Sequence, residues 1–212
     1  TIKKTTEAGN IVTFNWFCDD SWRFNEFSKK VCNYFHFCST PEKQYVDKYK
    51  KIGYDNILYA AWCANSELYS NLDCVKKNIA CFSGGKHGDR IAYLHMLEEA
   101  KFPVHTPSDS SFESMIAGYS SSLMGLNFSK NSNGTGTQMK ARMFEVPATG
   151  ALLITEYTED LENCFDIGEE ILTFTKETEL LDILEELNKD VNVALDMAKK
   201  GHARFMKDHD SK

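Results

Sequence analysis

The sequence of 212 residues has no run of apolar residues that approaches the ~20 needed for a membrane-spanning helix. Its opening decapeptide, TIKKTTEAGN, lacks the apolar stretch of a secretory signal peptide. It also lacks an initiator methionine, so we expect a trimmed or partial chain. No segment is therefore predicted to cross a membrane.

Cysteine motifs are missing as well, although the sequence contains seven cysteines. Their number is odd, they are scattered, and no two form a CxxC pair, so neither a zinc site nor a disulfide framework is indicated. Most of them adjoin apolar or aromatic residues, where a thiol packs as a small hydrophobic group. We therefore expect a reducing, cytoplasmic setting and no bound metal.

An excess of positive charge is the third absence, because the formal net charge is −7. Proteins that bind nucleic acids neutralise phosphates with clustered Lys and Arg, so a nucleic-acid partner is not expected. A few cations and helix amino termini can still hold a diphosphate inside an acidic protein. The hydrophobic fraction of 42% and the charged fraction of 26% are typical of an ordinary globular protein with one or two domains.

What the sequence does contain is an alternation of predicted strands and helices. Up to residue 62, predicted strands at 11–17, 33–38 and 57–62 alternate with predicted helices at 22–31 and 39–51. Beyond residue 77, strands are predicted at 78–82, 102–104, 123–128, 151–155 and 171–174, and helices at 90–100, 111–120 and 140–148. Further helices are predicted at 178–188, 191–200 and 202–209, with breaks at 188–190 and at Gly201.

This order predicts an α/β fold with parallel sheets, whose ligands lie at the carboxyl-terminal edges of the strands. The polar stretch 65–77 is the predicted linker. We therefore expect a partial N-terminal domain at 1–75, a C-terminal domain at 76–185 and a helical tail at 186–212.

The segment with the most chemistry carries Lys140, Arg142 and Glu145 on a predicted helix that follows a polar, glycine-rich loop. Positions 138, 142 and 145 are spaced to lie on one helix face. Cations and helix N–H groups suit a diphosphate, and a carboxylate suits the two hydroxyls of a ribose. The alternative is a solvated helix with an Arg142–Glu145 surface pair, and spacing alone does not separate the two interpretations.

A second candidate is the octapeptide SGGKHGDR, residues 83–90, between a predicted strand and a predicted helix. Its glycines are a weak fingerprint, because any tight turn of this kind favours glycine. In the functional interpretation Gly84 and Gly85 face a diphosphate, and Arg90 or Lys86 supplies a cation. His87, beside Gly88, is the histidine best placed to reach the same site.

The acidic pair Asp19 and Asp20 follows the first predicted strand. Adjacent residues on extended chain point in opposite directions, so the two are not expected to act together. We consider Asp20 as a group on the acceptor side, and the alternative is an acidic helix start with an N-cap. The aromatic residues nearby are predicted to fill a core, although they could instead stack on a sugar. They are Trp16, Trp22, Phe24, Phe27, Tyr34 and Phe35.

Residues 76–209 resemble the C-terminal half of group-1 glycosyltransferases, in the branch of the spore-maturation type. The matching positions are Gln138, Lys140, Arg142, 144–148, Gly150, 152–157, 161–162, Phe165, 167–168, 170–171, Phe174, Ala198, Gly201 and His209. Upstream, 82–85 with Gly88 and Arg90, and 126–129, match in kind and order.

The resemblance implies a fold of the GT-B type, with two Rossmann-like units facing across a cleft and a helical tail. Residues 1–75 are about half of an N-terminal domain of this kind, so we expect that unit to be incomplete. The implied activity is a metal-independent, hexosyltransferase-like reaction without a cofactor. It moves a sugar from a UDP- or GDP-linked donor to an unknown hydroxyl of a glycan, lipid or protein.

The resemblance also implies roles for individual residues. Glu145 matches the glutamate that holds the nucleotide ribose, whereas Thr137 stands where the wider superfamily often has a second glutamate that contacts the sugar. The expected nucleotide-sugar contacts are Glu145, Gly84, Gly85, Arg90 and Gly150. The expected catalytic groups are Arg142 and Lys140 on the departing diphosphate and Asp20 on the acceptor side.

Two other functions fit parts of the sequence. The first is a non-catalytic nucleotide- or sugar-binding module derived from a glycosyltransferase. The second is a nucleotide-dependent oxidoreductase, suggested by the glycine turn. It is disfavoured because the region about twenty residues beyond that turn offers only Asp109 and Glu113, in a polar stretch and not at a strand end.

Overall fold

The computed structural model describes residues 1–70, 74–86, 88–109, 111–131 and 133–212. The chain divides into two compact units. Unit 1 comprises Thr1–Trp62 and Asn131–Met139, and unit 2 comprises Cys63–Lys130 and Lys140–Lys212. Both units contain parallel sheets with intervening helices, which confirms the predicted α/β class.

Unit 1 contains a three-stranded parallel sheet in the order β1-β2-β3. Its strands are β1 (Phe14–Trp16), β2 (Phe37–Thr40) and β3 (Ile57–Tyr59). Its helices are α1 (Ile2–Ala8), α2 (Asp20–Arg23), α3 (Lys29–Val31) and α4 (Lys43–Lys51), with a π-helical turn at Phe24–Ser28 and a 3-10 turn at Cys32–Tyr34. Because each crossover returns to the next strand in order, the connections carry the helices to one face of the sheet.

The two faces of this sheet differ in burial. Cys38 and Ile57 are paired in register on the face that packs with Tyr49, and all three are buried. On the opposite face Phe14 and Phe37 are paired in register and are 54% and 43% exposed. Strands of a parallel sheet are usually buried on both faces, so unit 1 presents an uncommon apolar surface.

Several sequence expectations for unit 1 are wrong in detail. The strand predicted at 33–38 begins only at Phe37, because the preceding residues form the 3-10 turn. The helix predicted from residue 39 begins at Lys43, because residues 39 and 40 complete β2. The aromatic cluster predicted as core is mixed: Phe24 is buried, whereas Trp16 and Phe27 are 45% and 42% exposed.

Unit 2 contains a five-stranded parallel sheet in the order β5-β4-β6-β7-β8. Its strands are β4 (Lys77–Cys81), β5 (Val104–His105), β6 (Ser122–Asn127), β7 (Leu152–Glu156) and β8 (Leu172–Phe174). Its helices are α5 (Asp89–Glu99), α6 (Phe112–Ser121), α7 (Arg142–Ala148), α8 (Glu177–Lys189) and α9 (Val191–Asp208), with a 3-10 turn at Leu161–Asn163. The chain moves outward from β4 to β5 and then continues on the other side of β4, so the strand order reverses between β4 and β6.

The core of unit 2 lies on the central strands. Every residue of β6 and of β7 is buried, as expected for strands that are covered by helices on both faces. Helices α7 and α9 pack together over these strands, and α5 packs beside α8. Within the described residues, none of the helices combines the length and the apolar composition that a membrane crossing needs.

The C-terminal helices are present, but the break expected at Gly201 is wrong. Helix α9 is continuous from Val191 to Asp208 and passes through Gly201. A Cβ atom at this position would lie 2.5 Å from the carbonyl oxygen of Glu170. The glycine is therefore explained by a close approach of two backbones and not by a helix end.

Candidate functional site

A cavity of about 730 Å³ lies at the carboxyl-terminal edge of the unit-2 sheet. Its wall combines the loop after β4, the loop after β5, the first residues of α6 and the first residue of α7. Parallel α/β sheets bind ligands where the strand order reverses, outside the carboxyl ends of the strands. The loop after β4 lies at that position, so the topology alone makes this cavity the leading site.

Arg142 is the most closely held cation of the cavity wall. Its Nη1 donates to Oδ1 of Asn127 at 3.4 Å, and its guanidinium lies 5.5 Å from the ring centroid of Phe82. Its Nε is buried and has no hydrogen-bond partner within the described part of the chain. A buried donor without a partner carries a cost in desolvation, so the surroundings of Arg142 leave part of its hydrogen-bonding capacity unused.

Gly84 and Gly85, which the sequence analysis expected to face a diphosphate, lie in the same wall. A Cβ atom on Gly84 would lie 2.9 Å from Nη2 of Arg142. The absence of a side chain at this position therefore leaves room for the guanidinium. Gly85 accepts a hydrogen bond of 3.0 Å from Nη1 of Arg90.

Two further cations surround this loop. Burial lowers the pKa of Arg90, and the positive charge of Arg142 lowers it further. An anion bound near both guanidinium groups would offset their mutual repulsion. Lys86 lies in the cavity wall and donates to Oγ1 of Thr106 at 3.4 Å. His87, which was expected near the same site, lies outside the described residues.

The opposite wall carries one acid. Asp109 accepts hydrogen bonds from the backbone N–H of Ser111 at 2.9 Å and from the hydroxyl of Ser114 at 3.0 Å. The Ser111 side chain lowers the pKa of Asp109 most, and these two bonds lower it further. Its negative charge is thereby engaged at the start of α6. Because α6 begins in the cavity wall, its first N–H groups add partial positive charge.

Glu145 lies on α7 one turn beyond Arg142 and is half-buried. It accepts a hydrogen bond of 2.7 Å from the hydroxyl of Tyr69. Burial raises the pKa of Tyr69, and the hydrogen bond to Glu145 raises it further, so the phenol stays protonated and donates. The Tyr69 ring packs against Phe112, which belongs to the cavity wall. Glu145 is thus joined to the cavity rim through two aromatic rings.

The structure does not bring Lys140 or Gly150 into this wall. Lys140 precedes α7 and donates from Nζ to the carbonyl oxygen of Lys130 at 3.0 Å. Gly150 ends α7 with a φ of 72° and precedes β7, so it lies at the amino-terminal edge of the sheet, opposite the cavity. Its position is explained by the left-handed turn that follows the helix.

The expectation that positions 138, 142 and 145 share a helix face is wrong. Helix α7 begins at Arg142, and Gln138 belongs to unit 1. There its Nε2 donates to Oδ1 of Asp19 at 3.3 Å, and its Oε1 accepts from the hydroxyl of Ser21. The predicted helix start was misplaced because a polar loop residue satisfies the helical spacing by chance.

The structure does not support Asp20 as an acceptor-side group. Its side chain is 1% exposed, and the hydroxyl of Tyr49 donates to both carboxylate oxygens at 3.0 and 2.9 Å. Burial raises the pKa of Asp20, and hydrogen bonds from Ser28, Thr40 and Tyr49 oppose that rise. A carboxylate enclosed in this way has no surface for an acceptor. The alternative, an acidic first turn of helix α2, describes its position better.

Sequence reasoning missed the wall contributed by the loop after β5 and by α6. Those residues are Thr106, Pro107, Ser108, Asp109, Ser111, Phe112 and Met115. A signal was available, because they directly follow a predicted strand and so belong to the same sheet edge as the glycine turn. Tyr69 was also missed, and nothing in its immediate sequence marks it. Asn127 lies in the matching segment 126–129, but no role was expected for it.

Comparison with known proteins gives a consistent picture. A family model described as glycosyl transferase-like matches residues 87–212. A search of curated protein sequences finds no match to the chain. Among solved structures, sucrose-phosphate synthase from Thermosynechococcus elongatus is similar with a TM-score of 0.61 at 12% identity, over 86% of this chain and 56% of that one.

Two other solved structures cover more of the chain. A glycosyltransferase from Rickettsia africae has a TM-score of 0.68 at 11% identity, over 98% of this chain and 69% of that one. HepE from Anabaena, in complex with UDP and glucose, has a TM-score of 0.70 at 9% identity, over 98% of this chain and 70% of that one. These likenesses confirm the GT-B fold class. The chain spans little more than half the length of the sucrose-phosphate synthase that it matches.

Proposed function

Because the chain belongs to the glycosyl transferase-like family, we propose that unit 2 binds a nucleotide-diphosphate sugar and that the protein transfers the sugar to a hydroxyl acceptor. The observation that carries the proposal is the cavity at the switch point of the unit-2 sheet, with Arg142 in its wall. The likeness to a structure that holds UDP and glucose supports a UDP-linked sugar as the first donor to test. GDP-linked donors and membership of the spore-maturation-type branch are further parts of the proposal.

The reaction breaks the bond between the anomeric carbon and the diphosphate oxygen and forms a bond from that carbon to the acceptor oxygen. The diphosphate leaves with both electrons of the broken bond, and the acceptor hydroxyl loses its proton. Negative charge therefore grows on the leaving group, and fixed cations that meet it there lower the barrier. In the proposal Arg142 has this role, supported by Arg90 and Lys86.

A metal-independent reaction follows from the same cations. Two positively charged side chains, Lys86 and Arg142, and the amino end of α6 border the space assigned to the diphosphate, and Arg90 lies behind Gly85. One engaged acid, Asp109, partly offsets them. This balance suits a dianion or trianion without a bound cation, and we include it as a proposal to be tested with a chelator.

The ribose is assigned to the side of the cavity where Tyr69 and Phe112 pack together. Glu145 would accept from its hydroxyls, and Tyr69 would hold the carboxylate in place by donating at 2.7 Å. The support is geometric, since Glu145 follows Arg142 by one helical turn and both belong to α7.

A non-catalytic binding module is the second candidate. The specific observation in its favour is the burial of Asp20, which leaves the acceptor side without an assigned base. The two candidates differ in turnover, because a module would bind UDP-glucose without releasing UDP.

A cytoplasmic setting also remains a proposal, consistent with seven unpaired cysteines.

Isothermal titration calorimetry with UDP, GDP and UDP-glucose tests binding, with NAD as a competing ligand class. We expect Arg142→Ala to weaken UDP binding by roughly 10- to 100-fold, because it removes a charge-assisted contact. Lys199→Ala removes the same charge from an exposed position of α9 and should leave the affinity unchanged. No binding of UDP or GDP by the wild type, or equal binding by Arg142→Ala, contradicts the proposal. UDP release from UDP-glucose, with and without a chelator, then separates enzyme from module.

A further inference from the structure

Asn127 ends β6 behind the cavity wall and is completely buried. Its Nδ2 donates to Oγ of Ser129 at 3.0 Å and to Oγ1 of Thr155 at 2.9 Å. Its Oδ1 accepts from Nη1 of Arg142 at 3.4 Å. A buried amide is therefore satisfied at both ends, by two hydroxyls on one side and a guanidinium on the other.

The two hydroxyls fix the orientation of this amide. Oγ of Ser129 donates to the carbonyl oxygen of Glu156 at 2.8 Å, and Oγ1 of Thr155 donates to the same oxygen at 3.1 Å. Each hydroxyl has a single proton, so each can only accept from Asn127. The Asn127 NH₂ group must then face the hydroxyls, and its carbonyl must face Arg142.

The loop that carries Ser129 is itself held in place. The carboxylate of Glu156, which is 3% exposed, accepts from the backbone N–H groups of Ser129 at 2.8 Å and of Lys130 at 3.0 Å. Backbone, hydroxyls and amide thus form one connected network that ends at the guanidinium. Connected networks of this kind give a side chain a single arrangement.

We propose that Asn127 is a positioning residue that holds the Arg142 guanidinium toward the cavity, without itself contacting the ligand. The proposal rests on the function proposed above, in which Arg142 meets the diphosphate. The same guanidinium also lies over the Phe82 ring and fits beside Gly84, where a side chain would collide with it. Asn127 accepts from Arg142 as a neutral amide, so it orients the guanidinium without neutralising the charge that the ligand needs.

A double-mutant cycle tests this inference. The dissociation constant for UDP is measured by calorimetry for the wild type, Asn127→Leu, Arg142→Ala and the double variant, with thermal melts to verify folding. We expect Asn127→Leu to weaken UDP binding by roughly tenfold in the wild-type background and to have no effect when Arg142 is already absent. An equal loss in both backgrounds, or no loss in the wild-type background, overturns the inference.

Thr155→Val provides a milder variant if Asn127→Leu does not fold. It keeps the side-chain shape and removes one of the two hydroxyls that orient the amide, so we expect a smaller loss of UDP affinity that again disappears without Arg142. A loss that persists in the Arg142→Ala background contradicts the inference.

Crystal structures of the ligand-free wild type and of Asn127→Leu provide a readout that does not depend on nucleotide binding. We expect the guanidinium of Arg142 to leave its position beside Phe82 in the variant. If the guanidinium keeps that position, the inference is wrong. A wild type that binds no UDP but shows the expected displacement removes the proposed function and leaves the positioning role intact.

Discussion

The hydroxyl of Tyr69 donates a 2.7 Å hydrogen bond to the carboxylate of Glu145, across 76 positions of the sequence. If this carboxylate holds a ribose, Glu145→Ala should weaken UDP binding by about tenfold. Tyr69→Phe should weaken it by less, because that variant keeps the carboxylate and removes only the hydrogen bond that holds it in place. Calorimetry with UDP and with 2′-deoxy-UDP measures this. The wild type should prefer UDP, and Glu145→Ala should bind both alike. A variant that keeps the full preference for UDP rules out the ribose role.

The close approach of Gly84 to Arg142 leads to a second prediction. Gly84→Ala would place a methyl group 2.9 Å from Nη2 of Arg142, so the guanidinium must move. We expect UDP binding to weaken by roughly tenfold, and we also expect a loss of stability, because alanine rarely adopts the φ of +159° found at Gly84. Gly134→Ala is the matched control, because its φ of +71° also disfavours alanine but its added methyl group would have no described atom within 4 Å. Unchanged UDP affinity in Gly84→Ala would show that the position of Arg142 is irrelevant to binding.

The sequence predicted those residues of this cavity that belong to segments with a recognisable local composition. Gly84 and Arg142 each belong to a segment whose own composition, a glycine turn or a basic helix start, is visible in the sequence. Thr106 and Phe112 reach the same cavity only because β5 pairs with the outer side of β4, and strand order is a long-range property. Asn127 belongs to the matching segment 126–129, but its role depends on partners in another strand and another helix, which a local pattern does not contain.

The fold was predictable to a similar extent. Strands β6 and β7 contain the apolar stretches 123–126 and 152–154, and Gly150 marks the turn between α7 and β7, so those elements followed from pattern and turn chemistry. The burial of Asp20 depends on Tyr49, which comes from a helix 29 positions later. Such pairings are decided by tertiary packing, and no spacing rule contains them.

Lys76 makes an unusual set of contacts at the amino-terminal edge of the unit-2 sheet. Its Nζ donates to the carbonyl oxygens of Ser120 at 3.0 Å, Ser122 at 3.4 Å and Thr149 at 3.3 Å, which close the ends of α6 and α7. Lys76→Met should lower the free energy of unfolding by about 2 kcal/mol, because three carbonyls lose their donor. Lys77→Met, at the next and exposed position, should stay within about 0.5 kcal/mol of the wild type. Chemical denaturation measures both, and equal stability of the two variants would contradict the bridging role.

Glu42 in unit 1 predicts a dependence of stability on pH. Burial raises the pKa of Glu42 to about 7, and the charge of Asp20 contributes to the rise. The folded form therefore binds a proton that the unfolded chain releases at its ordinary pKa of 4.5. The stability that the folded protein gains from the protonated form of Glu42 is fully present below pH 4.5 and is lost as the pH rises through about 7.

This loss of folding stability is on the order of 3 kcal/mol. Thermal melts between pH 5 and 8 should show a steeper decline for the wild type than for Glu42→Gln, which has no proton to lose. The control is Glu26→Gln, which removes a carboxylate from an exposed position. Gln44 is left unchanged in all variants, because it donates a hydrogen bond to Glu42 at 3.4 Å. Parallel curves for the wild type and Glu42→Gln would contradict the assignment.

At Gly201, helix propensity and steric contact predict opposite effects of an alanine substitution on stability. It lies inside the continuous helix α9, where replacement of glycine by alanine usually gains about 1 kcal/mol. At this position the added Cβ would lie 2.5 Å from the carbonyl oxygen of Glu170, and a backbone atom cannot move aside as a flexible side chain can. We therefore expect Gly201→Ala to lose about 2 kcal/mol of the free energy of unfolding despite its better helix propensity. Ala203→Gly, at an exposed position of the same helix, should lose only the usual ~1 kcal/mol. A gain of stability in Gly201→Ala, measured by denaturant titration, would show that the two backbones do not approach this closely.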